Sequence, residues 1–292
     1  MHYTGQVYRH PIEGYTPLLE VTAGCSHNKC SFCTMYRETP FRMSPLAHVE
    51  EDLKEMKEQE GYPIKRIFLV NGEPFILSTE KLLAISELIH KYFPEIETIT
   101  CYASIKSLKN KSIEDLKRLK AAKYDQLHIG LESAYDPAIK QMNKAFTSEE
   151  AYENIGKLAE VGIKWDAIVM LGVAGKGNGE VHIRQTAELL NKYPPYLVSI
   201  MTTSVSEGTP LETMRDKGEF IECTERECIE EEIALLKALT FDDAYFFGGH
   251  NYNLIPINAP LSKKDEIIEK IEEYMDKIDP KVLDSIKERA SI

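Results

Sequence analysis

Three cysteines with the spacing of a metal-binding loop lie near the start of the chain. Cys25, Cys30 and Cys33 fall within nine residues, just after an apolar run at 17–21 and the pair Ala23-Gly24. This order predicts a loop that leaves a strand. Closely spaced thiolates on one loop suit an iron-sulfur cluster. Three thiolates for four irons leave one iron with an open coordination position for chemistry. Catalytic zinc sites likewise keep a position free of protein ligands, whereas structural zinc sites do not.

Two other uses of these cysteines have to be weighed. Zinc bound by the three thiols and His27 fits the same spacing. A disulfide framework fits less well, because the N-terminus lacks the pattern of an export signal and six cysteines in 292 residues is ordinary cytosolic usage. The residues alone therefore leave a cluster and a zinc site open.

The cysteine segment resembles the cluster loop of the radical S-adenosylmethionine (SAM) superfamily. It reads Cys-x4-Cys-x2-Cys with an aromatic residue, Phe32, before the third cysteine. The commonest first gap in that superfamily is one residue shorter, and subfamilies with a longer gap exist. The resemblance implies a [4Fe-4S] cluster on Cys25, Cys30 and Cys33, with Phe32 near the cofactors. It also implies reductive cleavage of SAM to a 5′-deoxyadenosyl radical that takes hydrogen from a substrate.

Motifs at two predicted strand ends resemble the same superfamily. Gly72-Glu73-Pro74 directly follows the second strand and is similar to the family's Gly-Glu-Pro segment, which implies a contact with the amino group of SAM. Glu132 ends the fourth strand and Lys144 follows twelve residues later, as in the branch of methylthiotransferases, the elongator acetyltransferase and the anaerobic coproporphyrinogen oxidase. The resemblance implies Glu132 near the ribose hydroxyls and Lys144 near the SAM carboxylate. A plain turn and solvated charges are the alternatives.

Three further strand ends carry weaker signals. Ser104, past the third strand, is a candidate ribose or carboxylate contact. Gly172 begins a glycine-rich stretch after the fifth strand, which fails as a nucleotide-triphosphate loop because no Ser or Thr follows Lys176. We interpret it as a loop whose backbone passes close to adenine. Gly208-Thr209-Pro210-Leu211 also resembles this branch, so matching segments run from about Val21 to Leu211.

The chain alternates short β-rich runs with amphipathic helical patterns. Strands are predicted at 17–21, 65–71, 98–102, 126–131, 166–171 and 197–203, and helices are predicted from Ser44 and Ser112 and at 78–93, 148–161, 180–193 and 225–239. Such units predict a parallel α/β sheet, as an open sheet or a barrel. The resemblance implies a partial (β/α)6 TIM-like barrel at 1–211. The remainder, 212–292, is predicted to be a helical and loop extension closing the barrel in the same globular unit.

Candidate substrate residues flank the cluster loop and lie near the C-terminus. Tyr36, Arg37 and Arg42 follow the cysteines, and a guanidinium there could bind a carboxylate or phosphate. Surface charge is the alternative for both arginines.

A long, poorly periodic stretch at 248–258 follows the predicted helix at 225–239. Within it His250 is a candidate acid or base, with Asn251 and Asn253 as hydrogen-bonding groups. We expect this stretch to close the barrel over the substrate, while a structural role for His250 stays open.

The other cysteines do not predict a second cluster. Cys223 and Cys228 are five apart on or before a helix, which predicts different faces, and Cys101 lies within a strand. From Ser262 we expect an acidic amphipathic helix and then a short one ending at Ile292.

Composition narrows the partners. The net charge of −12 disfavours a large nucleic acid, and neither a membrane span nor an export signal is visible, which predicts a cytoplasmic enzyme. We expect a small-molecule substrate and an electron donor such as flavodoxin or ferredoxin.

One hypothesis is a lyase that cleaves the N-glycosidic bond of queuosine 5′-phosphate and releases queuine. Alternatives are radical chemistry on another metabolite, such as a porphyrin or thioether precursor, a zinc-binding module, and a non-radical SAM methyltransferase.

Overall fold

The computed structural model describes residues 1–59, 61 and 63–286. These residues form two compact units, and each unit collects several stretches of the chain. The first unit contains 1–28, 36–130 and 153–165, and the second contains 29–35, 131–152 and the chain from Asp166 onward. The boundaries differ from the predicted division at residue 211, which stays a prediction.

The strands have these bounds in chain order: β1 Leu18–Leu19, β2 Thr22–Ala23, β3 Arg42–Met43, β4 Arg66–Leu69, β5 Thr98–Ala103, β6 Tyr124–Glu132, β7 Lys164–Leu171, β8 Leu197–Thr202, β9 Tyr245–Phe247 and β10 Asn258–Pro260. In the first unit β1, β4, β5 and β6 are parallel neighbours in that order, and β2 pairs antiparallel with β3. In the second unit β7, β8 and β9 are parallel, and β10 pairs antiparallel with β9. The sheet counts eight strands and is mostly parallel, as the α/β prediction requires.

The helices have these bounds: α1 Leu46–Gln59, α2 Thr79–Tyr92, α3 Ile105–Lys109, α4 Ile113–Ala121, α5 Asp136–Gln141, α6 Ser148–Val161, α7 Gly179–Lys192, α8 Pro210–Asp216, α9 Glu225–Ala238, α10 Lys264–Lys277 and α11 Pro280–Leu283. Short 3-10 helices occur at Pro11–Glu13, Pro74–Ile76 and Leu261–Lys263. Of the described residues, no helix combines the length and the apolar composition needed to cross a membrane.

Local sequence signals explain where the long helices begin, pack and end. In α1 the predicted stripe is buried at Val49, Leu53 and Met56. Helix α4 begins at a capping box in which the Ser112 side chain accepts from the amide of Asp115 and the Asp115 side chain accepts from the amide of Ser112. These contacts satisfy amides that would otherwise lack a partner at the first turn.

A buried ion network holds the N-terminal segment of the first unit. Glu13 binds the guanidinium of Arg66, and its Oε1 lies 2.9 Å from Nε2 of His128. Burial opposes ionisation, yet the hydrogen bonds from Arg66 and His128 lower the pKa of Glu13 far below its usual range. His10 stacks on His128 with ring centroids 4.5 Å apart. Because removing one partner would leave a buried charge, this network fixes the segment firmly.

Several short elements were not predicted from the sequence. Helices α3, α5 and α8 have five to seven residues, too few to show a periodic pattern. The strand β10 ends in Pro260, which removes one ladder donor and weakens the strand signal. The predicted C-terminal helices correspond to α10 and α11, and the part of that prediction beyond Ile286 lies outside the described residues.

Candidate functional site

In the first unit, Glu73 is the charged centre of the predicted SAM motif. It follows β4, precedes the 3-10 helix Pro74–Ile76, and its side chain is 3% exposed. Its two carboxylate oxygens accept hydrogen bonds from the hydroxyls of Ser26 and Ser104. Ser26 directly follows Cys25, so the motif after β4 is joined to the cysteine segment.

Gly72 lets the backbone approach Cys25 closely. A methyl group added at Gly72 would lie 2.7 Å from Cβ and 2.9 Å from Cα of Cys25. The Gly72 amide also donates to the carbonyl of Gly24 at 3.3 Å. Only glycine leaves space for this contact, so Gly72 positions the first cysteine by packing.

Ser104 has a structural role that the sequence did not predict. It caps α3, where its hydroxyl accepts from the amide of Ser107 and the Ser107 hydroxyl accepts from the amide of Ser104. The same hydroxyl donates to Glu73. The predicted direct contact of Ser104 with SAM stays a prediction, and its observed contact orients the Glu73 carboxylate.

Lys111 is a functional candidate that sequence reasoning missed. It is 3% exposed, and its ammonium donates to the carbonyls of Phe75 at 2.7 Å and Leu77 at 3.0 Å. The ammonium also lies 4.6 Å from the centroid of the Phe75 ring. Burial lowers the pKa of Lys111 to about 8. Lys111 therefore holds the turn that carries Pro74 and follows Glu73, and no local pattern around it signals this.

In the second unit, Cys30 and Cys33 form a tight turn. The Cys33 amide donates to the Cys30 carbonyl at 3.2 Å. Between them Ser31 donates from its amide to the Met142 carbonyl at 3.0 Å and from its hydroxyl to the Gln141 carbonyl at 2.8 Å. The turn is thus anchored to the end of α5, which the sequence did not predict.

Glu132 and Lys144 form a largely buried ion pair in the second unit. The Lys144 ammonium lies 2.8 Å from Glu132 Oε1, with about a tenth of each side chain exposed (11% and 9%). The ammonium also lies 5.9 Å from the ring centroid of Phe32. Two residues predicted as separate SAM contacts are therefore neighbours, and Lys144 reaches the cysteine turn through Phe32.

Gly172, predicted to lie close to adenine, contacts α9 and the residues just before it. Its amide donates to Glu231 at 2.7 Å, and its φ is +71°. A methyl group added at Gly172 would meet Sγ of Cys228 at 3.1 Å and Sγ of Cys223 at 3.7 Å. Gly172 therefore has a packing role, and its predicted contact with adenine stays a prediction.

The same geometry corrects the prediction for Cys223 and Cys228. They were expected on different faces of a helix, but Cys223 precedes the N-cap Thr224 and lies outside α9. Residues just before the cap and in the first turn commonly meet there. The hydrogen bond to Cys223, together with burial, raises the pKa of Cys228. The Glu231 carboxyl beside them has its pKa raised to about 7 by burial.

The candidate substrate residues after the cluster loop have different environments. The Tyr36 ring is buried and meets Tyr8 edge-on with ring centroids 5.3 Å apart, which indicates packing. Arg37 is exposed, and exposed Arg42 donates to the Thr4 hydroxyl at 2.9 Å. Both arginines are therefore exposed, whereas the Tyr36 ring is buried.

The loop between β9 and β10 contains one hydrogen-bonded anchor. The Asn253 oxygen accepts from the Thr202 amide at 2.8 Å, and its amide nitrogen donates to the carbonyls of Ile200 and Gly248. These bonds give Asn253 a structural role, and its predicted substrate contact stays a prediction. Asn251 is exposed, so its predicted substrate contact stays a prediction.

His250 lies in the same loop with one ring nitrogen engaged. Its Nδ1 accepts from the Tyr252 amide at 3.2 Å, and its ring meets the Tyr252 ring edge-on at 5.0 Å. Burial lowers the pKa of His250, which favours the neutral ring. With Nδ1 accepting, Nε2 carries the proton. The geometry therefore suits a hydrogen-bond donor better than a base.

The residues fit the two cofactors that the sequence predicts. All six cysteines lie within the described residues and none is in a disulfide. The side chains of Cys25, in the first unit, and of Cys30 and Cys33, in the second, are partly exposed. Among the described residues no lysine or arginine pairs with buried Glu73, so its carboxylate is available for an ammonium group. Thiols suit iron and a carboxylate suits an amine, so these residue types fit the two cofactors.

Comparisons with known proteins show which proteins this chain is similar to. HemW, the heme chaperone of Bacillus subtilis (strain 168), is 22% identical over 156 residues, which are 52% of this chain and 41% of HemW. The coproporphyrinogen III oxidase HemN from Escherichia coli, a radical SAM enzyme, superposes with a TM-score of 0.59 at 15% identity. The match covers 88% of this chain and 58% of the HemN chain.

A third relative, the radical SAM methyltransferase TsrM from Kitasatospora setae, was solved with cobalamin and a [4Fe-4S] cluster bound. It superposes with a TM-score of 0.54 at 16% identity, and the match covers 67% of this chain and 38% of the TsrM chain. The chain thus spans about two fifths of the curated relative HemW. The sequence model of the Radical SAM superfamily matches residues 19–190. The chain therefore belongs to the radical SAM superfamily.

Proposed function

We propose that this chain is a radical SAM enzyme that cleaves SAM at a [4Fe-4S] cluster and takes hydrogen from a small-molecule substrate. Cys25, Cys30 and Cys33 would hold the cluster. The observation that carries the proposal is Glu73, a buried carboxylate held by the hydroxyls of Ser26 and Ser104 directly beside Cys25. When bound, the cluster and SAM supply one-electron reduction and a 5′-deoxyadenosyl radical.

Glu73 would bind the amino group of SAM. Its two oxygens each accept one hydroxyl hydrogen bond, and among the described residues no lysine or arginine forms an ion pair with this carboxylate. A buried carboxylate is stabilised by a charged donor, and a carboxylate oxygen accepts more than one hydrogen bond. An ammonium group placed here would restore the charge balance and orient the methionine part of SAM.

Glu132 and Lys144 would bind the ribose hydroxyls and the SAM carboxylate. As an ion pair at 2.8 Å they are held in place before the cofactor arrives. A carboxylate accepts from two hydroxyls, and an ammonium has three donors, so each group can keep its partner while it binds SAM. Prior positioning of this kind lowers the entropy lost on binding.

Iron content and SAM cleavage test the proposal together. Anaerobically purified protein is expected to be brown, to contain iron and, after dithionite and SAM, to produce 5′-deoxyadenosine. Cys30→Ala should lose the iron and the product. Cys223→Ala removes a thiol that is also partly exposed, and it should keep both. Colourless protein that binds zinc and never cleaves SAM would contradict the proposal.

The finer hypothesis is a lyase that releases queuine from queuosine 5′-phosphate. Its support is the longer first cysteine gap and the exposed Arg37 and Arg42, whose guanidinium groups suit a phosphate. The radical would take a ribose hydrogen, and the N-glycosidic bond would then break as a ribose hydroxyl proton passes to the departing base. The remaining sugar radical would take back a hydrogen atom from 5′-deoxyadenosine, or one electron from the reductant and one proton. Reduced enzyme with SAM and this nucleotide should yield free queuine. SAM cleavage without queuine would exclude this substrate and leave the class of reaction standing.

His250 would donate a hydrogen bond to the substrate through Nε2. The engaged Nδ1 and the lowered pKa support a neutral donor. A His250→Ala variant should bind SAM normally and lose turnover once a substrate is known. Full turnover in that variant would remove the role.

A further inference from the structure

The backbone at Glu132 has a rare and strained shape. Glu132 has a φ of +59°, and the Ser133 amide donates across it to the Leu131 carbonyl at 2.7 Å. These are the marks of a γ-turn with positive φ, which is uncommon for a residue other than glycine. Such strain persists only where the surroundings fix the conformation, and it concentrates at functional sites.

Two residues of α7 bind the segment that directly follows this turn. His182 Nδ1 lies 2.8 Å from the Ser133 hydroxyl, and the Thr186 hydroxyl accepts from the Ala134 amide at 3.1 Å. His182 and Thr186 are four residues apart, so they lie on one face of α7, and both are fully buried. One helix face therefore holds two successive residues after Glu132.

The protonation of His182 is set by its contacts. Its Nε2 lies 3.2 Å from the Met170 carbonyl at the end of β7, so Nε2 carries the hydrogen and Nδ1 accepts from Ser133. Burial lowers the pKa of His182 to about 4, which keeps the ring neutral. The Ser133 hydroxyl in turn accepts from the Tyr135 amide at 2.9 Å. Each donor in this chain of bonds has an acceptor.

We propose that His182 and Thr186 are positioning residues for SAM, because they hold the strained turn that aims the Glu132 carboxylate. The inference rests on the proposed contact between Glu132 and the ribose. Neither residue touches the cofactor in this account; they act through Ser133 and Ala134. If these bonds are lost, the turn relaxes toward an ordinary φ and the carboxylate leaves its position beside Lys144.

The test measures SAM affinity and backbone exchange on the full-length, unreduced holoenzyme, where no turnover occurs. Thr186→Val keeps the shape and removes the hydroxyl, and it should weaken SAM binding roughly fivefold to tenfold by calorimetry. Thr186→Ser should restore affinity to within about twofold of the wild type. Ser133→Ala, which removes the His182 contact from the other side, should weaken binding as Thr186→Val does.

Thr100→Val is the matched control. Thr100 is also fully buried, and its hydroxyl has no hydrogen-bond partner among the described residues, so affinity should stay unchanged. Amide exchange at 132–135 should rise in Thr186→Val and not in the control. If Glu132→Gln binds SAM weakly but Thr186→Val shows wild-type affinity or wild-type amide exchange, the positioning role is overturned and the ribose contact stands. Wild-type affinity in Glu132→Gln would overturn the ribose contact and the inference together.

Discussion

Replacing Gly72 with alanine tests how tightly the segment after β4 positions the first cysteine. The added methyl group would lie 2.7 Å from Cys25 Cβ, 2.8 Å from the Gly24 carbonyl oxygen and 2.9 Å from Cys25 Cα. Two of these are backbone atoms, so no side-chain rotation relieves the contact. Ordinary contact begins at 3.4 Å, so the Cys25 Cβ must retreat by the difference between 3.4 and 2.7 Å, which is about 0.7 Å.

That displacement exceeds what metal ligation tolerates. Ligand distances in working metal sites stay within about 0.2 Å of their ideal values. We expect Gly72→Ala to hold less than about half of the wild-type iron after identical anaerobic reconstitution, since one of three proposed ligands is misplaced. The overpacking should also cost about 1–3 kcal/mol of folding stability, or a fall in Tm of roughly 3–10 °C.

Gly61→Ala is the matched control, because a methyl group at Gly61 meets nothing within 4 Å. Iron content, charge-transfer absorbance and Tm of this variant should equal those of the wild type. Full iron and an unchanged Tm in Gly72→Ala would refute the packing argument. A lower Tm with full iron would keep the packing argument and remove Cys25 from the cluster ligands.

Three further predictions concern stability. The pKa of buried Lys111 is about 8, against its ordinary 10.5, so between these pH values only the unfolded chain holds the proton. The free energy of unfolding should therefore rise by about 2 kcal/mol from pH 8 to 10. Lys111→Met should lose this rise in denaturant titrations. Burial raises the pKa of Glu232 to about 8 from its ordinary 4.5, so between these pH values only the folded chain holds this proton. The free energy of unfolding should therefore fall by about 3 kcal/mol from pH 5 to 8. Glu232→Gln should abolish that fall, and an unchanged pH profile would contradict the assignment. Ala145 has a φ of +57°, so Ala145→Gly should gain about 0.5–1 kcal/mol in thermal unfolding, whereas Ala159→Gly inside α6 should lose about 1 kcal/mol.

The long elements were predictable because their signals are repeated over many residues. Helix α6 was predicted at 148–161, with Gly162 as its end, and the structure gives those bounds and a φ of +75° at Gly162. The capping serine of α4 was predicted from the cap and acidic first turn at 112–115. The predicted superfamily is confirmed, because the sequence model of the Radical SAM superfamily matches residues 19–190.

The side-chain pairings were not predictable, because they depend on tertiary contacts. Nothing in the sequence near Lys111 indicates that it binds the carbonyls of Phe75 and Leu77, more than thirty residues earlier. The start of α9 was predicted correctly at residue 225, but helical spacing was applied to Cys223, which lies before the N-cap Thr224, so the proximity of Cys223 to Cys228 was missed. Ser104 was interpreted as a ligand contact because α3, which it caps, is too short to be seen in the sequence.

The hydrogen bonds of Asn253 limit how the loop between β9 and β10 can be redesigned. One side chain joins the loop backbone to β8 through Thr202 and Ile200, and it also binds the Gly248 carbonyl. A loop transplanted from a relative to alter substrate choice would need an amide at the equivalent position to keep its registration on the sheet. Substitutions at exposed Asn251 should leave folding intact, whereas libraries that randomise Asn253 should contain few folded members.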